Sequence, residues 1–572
     1  MIDPPETTRR PGLDPTDTGT TLLVSNPAAA HVETQSSHWA VVGTRPSRVV
    51  DDVDDDTAFA TVVETVQGLP GEYSVVRLDS GNGASLRAFR GIASSYDLYY
   101  YPRGDGIVVG DHFRDVLSAV PVSERTVPET VAIDQLLFGA RPTGTYLTAV
   151  DRLGHGERLE WVAGETPEKD LVDTPSAGGP ATPTDAMRRL DRHFEDVLGA
   201  HRFDGPVVTM LSGGVDSSLL HTYRDGDATT FAAYDSPEFE QEVTYAHQAS
   251  DLLGSDHETL LFDEGDYLEH LESAIVATGH PLLLPQAVLM DRTFAESPHA
   301  TYVNGYLADA IFGVGAAALA SLARYTGRTV EFLPDVTWEV EALAETVDGL
   351  RRPSSHPEGA ALNFRIHSDP DHLATWVGQA AVDERRRERF QYTRNRIEVT
   401  DGTGYGPHMH LGHAIEFFHD VAPTIWRHAA HARGVAMKTP FGGREVLESA
   451  LAVPAGDRYA RFQVPQPHHP TRVVRYKYLL KDLLEERLPA YDTKKPKGHG
   501  LLPTDRYLES GPLADVFDRY PVPEFVPEEH HETVRTRTDN IGWYAANYAI
   551  WRDRVLRNDD LGLTGTTTVV RR

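Results

Sequence analysis

One segment constrains the fold of this 572-residue chain more than any other. Residues 206–220 read Pro-Val-Val-Thr-Met-Leu-Ser-Gly-Gly-Val-Asp-Ser-Ser-Leu-Leu. The apolar run from Val207 to Leu211 predicts a buried strand, Gly213 and Gly214 a tight turn, and Ser217 and Ser218 the opening of a helix. Glycines at such a turn let backbone N–H groups approach an anion closely. The positive end of the following helix adds to that attraction, and Asp216 is placed to hold a divalent cation beside it. The Lys of a Walker loop is missing, so the signature is not that of a P-loop kinase. A strand, turn and helix in this order predict a phosphate cradle within a parallel α/β sheet.

Composition narrows the setting. With 54 basic and 85 acidic residues the formal charge is −31, which argues against nucleic acid or an anionic membrane as a partner. Lysine is scarce: Lys169, Lys438, Lys477, Lys481, Lys494, Lys495 and Lys497 are all there are. Abundant Asp and Glu with Arg in place of Lys resembles the proteins of salt-in halophiles such as the haloarchaea; a high-GC genome with an acidic proteome is the alternative. Five of the seven lysines fall between 477 and 497, which points to a need there for an ammonium that Arg does not meet. Cysteine is absent, which excludes disulfides, thiolate metal sites, iron–sulfur clusters and thiol nucleophiles. The first twenty residues are polar and Pro-rich without an apolar core, so no secretory signal is expected. The Ala-rich stretch from Gly315 to Ala323 is too short to span a bilayer. The expectation is a soluble, cytoplasmic protein.

The length allows two or three domains. The divisions read from the chain are a tail over 1–20, a strand-rich domain over 21–164, a linker over 165–184, a second domain over 185–560 and a tail over 561–572. Tyr73 to Arg77, Ser85 to Arg90, Leu98 to Tyr101 and Ile107 to Val109 are short β-favouring runs between turn residues. Thr184-Asp185 is expected to cap a helix whose apolar positions, Met187, Leu190, Phe194 and Val197, follow a 3-4 spacing. Strands and helices then alternate, and from about Leu268 to Arg557 the chain reads as mostly helical. The acidic run Asp51 to Asp56 reads as a solvated loop.

The Ser212 to Ser218 segment resembles the pyrophosphate loop of ATP pyrophosphatases, which cleave ATP between its α and β phosphates. Further matches are to one branch of that superfamily, the asparagine synthetases and their relatives, among them β-lactam synthetases and lasso-peptide cyclases. Thr230 to Tyr234 resembles the strand whose backbone receives adenine, at Ala233. Glu242, Tyr245-Ala246, Leu253-Gly254 and His257 follow the family's next helix. Gly305-Tyr306-Leu307-Ala308-Asp309-Ala310-Ile311-Phe312-Gly313 is similar to its G-E-G-A-D-E-L-F-G segment. Lys438-Thr439-Pro440-Phe441 is similar to R-x-P-F, and Lys495-Pro496-Lys497 with Pro503 to R-P-K and a later Pro. Trp543, Asn547 and Trp551 fit its final helix. Pro70 to Ser74, Phe89 to Gly91, Leu98 to Tyr100 and Gly154 to Glu157 resemble the family's glutamine amidotransferase domain.

The resemblance implies an α/β protein with two parts. The first is a glutamine-amidotransferase-like (Ntn) β-rich αββα domain. The second is a parallel-sheet ATP-pyrophosphatase domain, adenine nucleotide α-hydrolase-like, with a helical C-terminal part. It implies an ATP-dependent amide ligase that activates a carboxylate as an acyl-adenylate and releases pyrophosphate. ATP would be held by Leu211, Ser212, Gly213, Gly214, Asp216, Ser217, Ser218, Ala233 and Gly305, and Mg²⁺ by Asp216 and Asp309. Lys497 would stabilise charge developing at the α-phosphate and in the tetrahedral intermediate.

Two departures matter. The glutaminase domain of the family begins with a Cys nucleophile; here residue 2 is Ile2, so no glutamine hydrolysis is expected. Tyr306 stands where asparagine synthetases carry Glu, and relatives with Tyr there close rings on an amine already in the substrate. A phenol needs a carboxylate partner to act as a base, and Asp420 and Glu416 are the candidates. The expected partners are a small-molecule or peptide carboxylate and an amine, with a homodimer left open. Asparagine from aspartate and ammonia, a β-lactam-like ring, a macrocycle, and a non-catalytic nucleotide-binding role remain alternatives. His408, His410 and His413, with His468-His469, read as polar loop residues and not as a zinc site.

Overall fold

Alternation of buried side chains in two directions builds the first domain. The computed structural model describes residues 19–24, 26–79, 84–139, 144–176, 181–199, 206–224, 228–297, 299–312, 370–399, 422–453, 460–462, 474–495, 502–564 and 568–571. The strands are β1 (Thr21–Val24), β2 (Ala29–Glu33), β3 (Ser37–Gly43), β4 (Tyr73–Asp79), β5 (Ser85–Arg90), β6 (Tyr99–Arg103), β7 (Gly106–Gly110), β8 (Asp151–Arg152), β9 (Glu157–Val162) and β10 (Glu168–Leu171). β10-β9-β5-β4-β3-β2 form one sheet, and β1-β7-β6-β8 lie in the other. Ala40, Val42, Val76 and Leu78 of the first sheet meet Leu22, Tyr100 and Val109 of the second in a shared core. Their neighbours in sequence, Trp39, Val41 and Val75, turn away and pack on the helix Phe59–Gly68. On the outer side of the other sheet, Leu23, Tyr99 and Val108 pack with the helices Phe113–Ser118 and Glu129–Phe138. The layers run helix, sheet, sheet, helix, as the period-2 burial of each strand dictates.

Two segments differ from the sequence expectation. Thr568–Arg571, within the expected tail, pairs antiparallel with β1, with Leu22 opposite Val570. Its Thr-Val-Val run favours strand and covers what would otherwise be an open sheet edge. Glu168–Leu171, within the expected linker, forms β10 on β9. The helix expected to be capped by Thr184 runs Pro183–Leu198 with Thr182 as its cap. The Thr182 hydroxyl accepts the Asp185 N–H at 3.2 Å, and Pro183 takes the first helical position, where its missing N–H costs nothing.

The second domain is centred on a five-stranded sheet whose strands all run parallel: β11 (Val207–Met210), β12 (Ala228–Tyr234), β13 (His257–Phe262), β14 (Thr301–Val303) and β15 (Ala436–Lys438). The order β13-β12-β11-β14-β15 reverses direction at β11. Loops leaving β11 and β14 therefore diverge at their carboxyl ends, where open parallel sheets bind ligands. One face is covered by Pro183–Leu198, Val215–His221 and Tyr478–Arg487 through Leu190, Phe194, Leu219, Leu480 and Leu483. The other is covered by Tyr267–Thr278, Ala287–Glu296, Ala422–Ala432 and Asn540–Trp551. On the last helix Asn547 bonds both the N–H and the carbonyl of Leu282, and the Trp551 indole donates to the Gly279 carbonyl at 2.8 Å. Among the described residues no helix is long and apolar enough to cross a membrane.

Candidate active site

The site lies at the point where the strand order reverses. Beyond β11, Leu211 keeps pairing by donating its N–H to the Thr230 carbonyl at 2.8 Å. Gly213 then adopts φ +68°, and a Cβ there would sit 2.1 Å from the Tyr245 carbonyl oxygen, so only glycine fits the turn. The Gly214 N–H donates to Ser212 Oγ at 3.3 Å, and the hydroxyls of Ser212 and Ser217 lie 3.4 Å apart. The Tyr491 hydroxyl donates to the Gly213 carbonyl at 2.5 Å, fixing the loop from outside. The helix Val215–His221 follows, with Asp216 in its first turn and Ser217 and Ser218 buried.

The second wall comes from the loop after β14. Gly305 presses against that helix: a Cβ would lie 2.9 Å from the Ser217 nitrogen and 3.0 Å from Asp216 Cβ. Asn304, buried, accepts the Tyr306 N–H at 3.2 Å and sets the turn. Leu307 has φ +76°, a left-handed conformation that costs a non-glycine residue about 1–2 kcal/mol. Gly is the residue of the resembled pattern at that place, and the burial of Leu307 among Val303, Phe312 and Phe441 offsets the strain. The turn carries Asp309 to the start of the short helix Ala308–Phe312 and sets the Tyr306 ring edge-on to Trp426, centroids 4.1 Å apart. Burial, then Asp309, pushes the Tyr306 phenol well above its ordinary pKa.

The two loops bring Asp216 and Asp309 onto one cation. Lys477 Nζ lies 2.6 Å from Asp216 Oδ2 and 2.5 Å from Asp309 Oδ1. Burial works against the charge of this ammonium, but Asp216 and then Asp309 hold its pKa above the ordinary value. Lys477 stands at the start of the helix Tyr478–Arg487 with φ +49°. Reasoning from sequence missed its role, although the clustering of lysines in this region was the signal. Lys495 also reaches the loop, its Nζ 4.5 Å from the ring centre of Tyr491 and 4.6 Å from that of Tyr245. Its pKa is lowered by burial, against the pull of Asp492.

Of the other sequence candidates, Ala233 is buried on β12. Lys438 points away from the loop: from the edge strand β15 its ammonium donates to the Gly43 and Thr44 carbonyls of the first domain, at 3.0 and 3.1 Å. Burial, then Arg427, brings its pKa down to about 7, with Glu72 acting the other way. Lys497, Asp420, Glu416, His408, His410, His413, His468 and His469 lie outside the described residues.

The donor set suits magnesium. Two carboxylates already meet at a single cation, and hard oxygen ligands in that small number leave coordination positions for phosphates and water. Among the described residues no group of three or more His, Cys, Asp or Glu side chains forms an all-protein metal cage. The arrangement is thus a glycine-turned anion cradle with two acidic side chains and two lysines around it.

No curated protein matches the chain significantly. The family model described as asparagine synthase matches residues 190–534, more than half of the 572. The chain belongs to the asparagine synthase family, and with it to the ATP-dependent ligases that form carbon–nitrogen bonds.

Proposed function

We propose that the protein joins a carboxylate to an amine through an acyl-adenylate. The observation that carries this reading is the meeting of Asp216, Asp309 and Lys477 beside the Ser212–Ser218 loop. In the proposed reaction a carboxylate oxygen attacks the α-phosphorus of ATP. The bond from that phosphorus to the bridging oxygen breaks, and pyrophosphate leaves with the electron pair. Leu211 and Ala233 border the nucleotide through backbone, and Gly305 leaves the Ser217 N–H unshielded by a side chain. Gly213, Gly214, Ser217 and Ser218 receive the phosphates. Mg²⁺ held by Asp216 and Asp309 would neutralise phosphate charge when bound. Lys477 and Lys495 stand ready for the leaving pyrophosphate, and Lys497 is assigned to the α-phosphate and the tetrahedral intermediate.

In the second half the amine nitrogen attacks the acyl carbon, AMP departs, and the nitrogen gives up a proton. We assign that proton to Tyr306 acting with Asp420 or Glu416. The raised phenol pKa means that Tyr306 is no base by itself near neutrality, so the carboxylate is needed. The amine is assigned to the substrate itself, because Tyr306 stands where ring-closing relatives carry Tyr and a chain without Cys has no thiol to release ammonia from glutamine. The first domain, read as glutaminase-like in fold, then serves as a structural module. The acidic composition is read as an adaptation to high salt.

The test is ATP–pyrophosphate exchange in concentrated KCl across a panel of small-molecule and peptide acids that also carry amines. Exchange and an intramolecular amide by mass spectrometry support the reading. Robust asparagine synthesis from aspartate and ammonia would replace it with the ammonia-dependent reaction, and nucleotide binding without exchange for any acid would favour a non-catalytic role.

A further inference from the structure

Lys477 occupies the point on which Asp216 and Asp309 converge, and that point is where a divalent cation would have to sit. An ammonium and a metal ion cannot share it, since like charges at such a distance repel strongly. The lysine is not a wandering surface chain. Its helix is sunk into the core by Leu479, Leu480, Leu483 and Leu484. The far end is pinned by Arg487, which bonds Asp191 at 3.0 Å and the Thr222 hydroxyl at 3.0 Å and stacks over Tyr223 at 3.7 Å. Thr222 follows the helix Val215–His221, so the elements bearing Lys477 and Asp216 are fastened together at both ends. The backbone at Lys477 holds a left-handed conformation to deliver the side chain there. A lysine kept in place this firmly has a task at the two carboxylates.

The need for one follows from charge. A protein of formal charge −31 concentrates divalent cations around itself, and two carboxylates sharing one point would trap them without nucleotide. We propose that Lys477 is an exchangeable counter-ion for Asp216 and Asp309: it excludes free divalent metal from the empty site and yields the carboxylates only to metal arriving with ATP. The incoming phosphates then take over the displaced ammonium, so charge stays balanced in both states. This rests on the reading of the site as one for ATP and magnesium.

The experiment is a Mn²⁺ titration of the full-length protein without nucleotide, read by electron paramagnetic resonance and calorimetry. Asp309→Asn serves as the control that cancels binding to the acidic surface. The unmodified protein and Asp309→Asn should give superimposable isotherms. Lys477→Met should gain one further Mn²⁺ site per chain, at least tenfold tighter than the background, and Asp309→Asn in that variant should remove it. Mg²⁺ should raise the melting temperature of Lys477→Met more than that of the unmodified protein, and Asp309→Asn in that variant should remove the difference. Lys477→Gln repeats the comparison if the Met variant fails to fold. A Mn²⁺ site in the unmodified protein that Asp309→Asn abolishes would overturn the proposal, and so would a folded Lys477 variant that gains none. Failure of the nucleotide reading looks different: the unmodified protein would bind no ATP, whatever the metal isotherms show.

Discussion

The guanidinium of Arg427 lies 2.9 Å from the carboxylate of Glu72 and 3.7 Å above the ring of Tyr96, with both charged groups buried. Glu72 belongs to the first domain and Arg427 to the helix Ala422–Ala432 of the second, so the pair crosses the boundary. The other Glu72 oxygen accepts from the Ser95 N–H at 2.7 Å and the Ser95 hydroxyl at 2.5 Å. Lys438 donates to the neighbouring Gly43 and Thr44 carbonyls. The first domain is thereby tied to the second by polar contacts, of which the Glu72–Arg427 pair is buried.

Removing one partner of such a pair leaves a charge buried and uncompensated. Glu72→Ala should therefore cost about 3–5 kcal/mol in urea unfolding. The double variant Glu72→Gln, Arg427→Met, which takes out both charges, should be less damaging than the single one. A shift in Glu72→Ala below about 0.5 kcal/mol, the range of an ordinary surface substitution, would contradict the role given to the pair.

A second boundary feature is a cluster of buried histidines, His112, His280 and His428. The rings of His112 and His428 stack with centroids 4.3 Å apart, and those of His280 and His428 at 5.3 Å. His112 Nδ1 accepts the Arg114 N–H at 3.2 Å, so its Nε2 carries the hydrogen that is donated to the His428 carbonyl. Burial lowers the pKa of His428 to about 4, with Asp97 acting the other way and Arg152 with burial, and puts His112 and His280 well below the ordinary value. Unfolded histidine titrates near ~6.5, so between that value and about 4 the unfolded chain binds more protons than the native protein. The contribution is fully present above about pH 6.5 and is lost as the pH falls through this window, by roughly 2 kcal/mol for one histidine at pH 5. Melting temperatures from pH 7 to 5 should fall, and His428→Phe should flatten the decline. An unchanged slope in that variant would place the acid sensitivity elsewhere.

The role proposed for Tyr306 predicts that its loss separates the two half-reactions. Tyr306→Phe keeps the ring against Trp426 but removes the hydroxyl. Pyrophosphate exchange should persist while amide product falls by about 100-fold or more, the scale of a lost proton transfer. Equal loss in both assays would reduce Tyr306 to a residue that lines the pocket.

The parts legible in the sequence are those that local physics fixes. The strand, glycine turn and hydroxyl-bearing helix at 207–221 could be read because the turn against Tyr245 leaves no room for a side chain at Gly213. The strands around Tyr73, Ser85, Tyr99 and Gly106 followed from β-favouring runs bounded by turn residues. Thr182 escaped as a cap because Thr184-Asp185 offers the same side chains two residues on, and only Pro183 decides between them. Thr568–Arg571 read as a tail because its partner, β1, lies at the other end of the chain. The pairing of Asp216 with Asp309 was legible only through the family resemblance, and the clustering of lysines was the one hint of Lys477, because the three side chains come from segments far apart in sequence.

The identity of the nucleotide product tests the central claim most directly. The unmodified protein, given MgATP and an accepted acid, should yield AMP and pyrophosphate in equal amounts by ³¹P nuclear magnetic resonance. Asp216→Ala should stay folded and yield neither, because this carboxylate serves a cation at the loop and not a hydrophobic core. ADP and phosphate as products, or undiminished turnover in Asp216→Ala, would contradict the account.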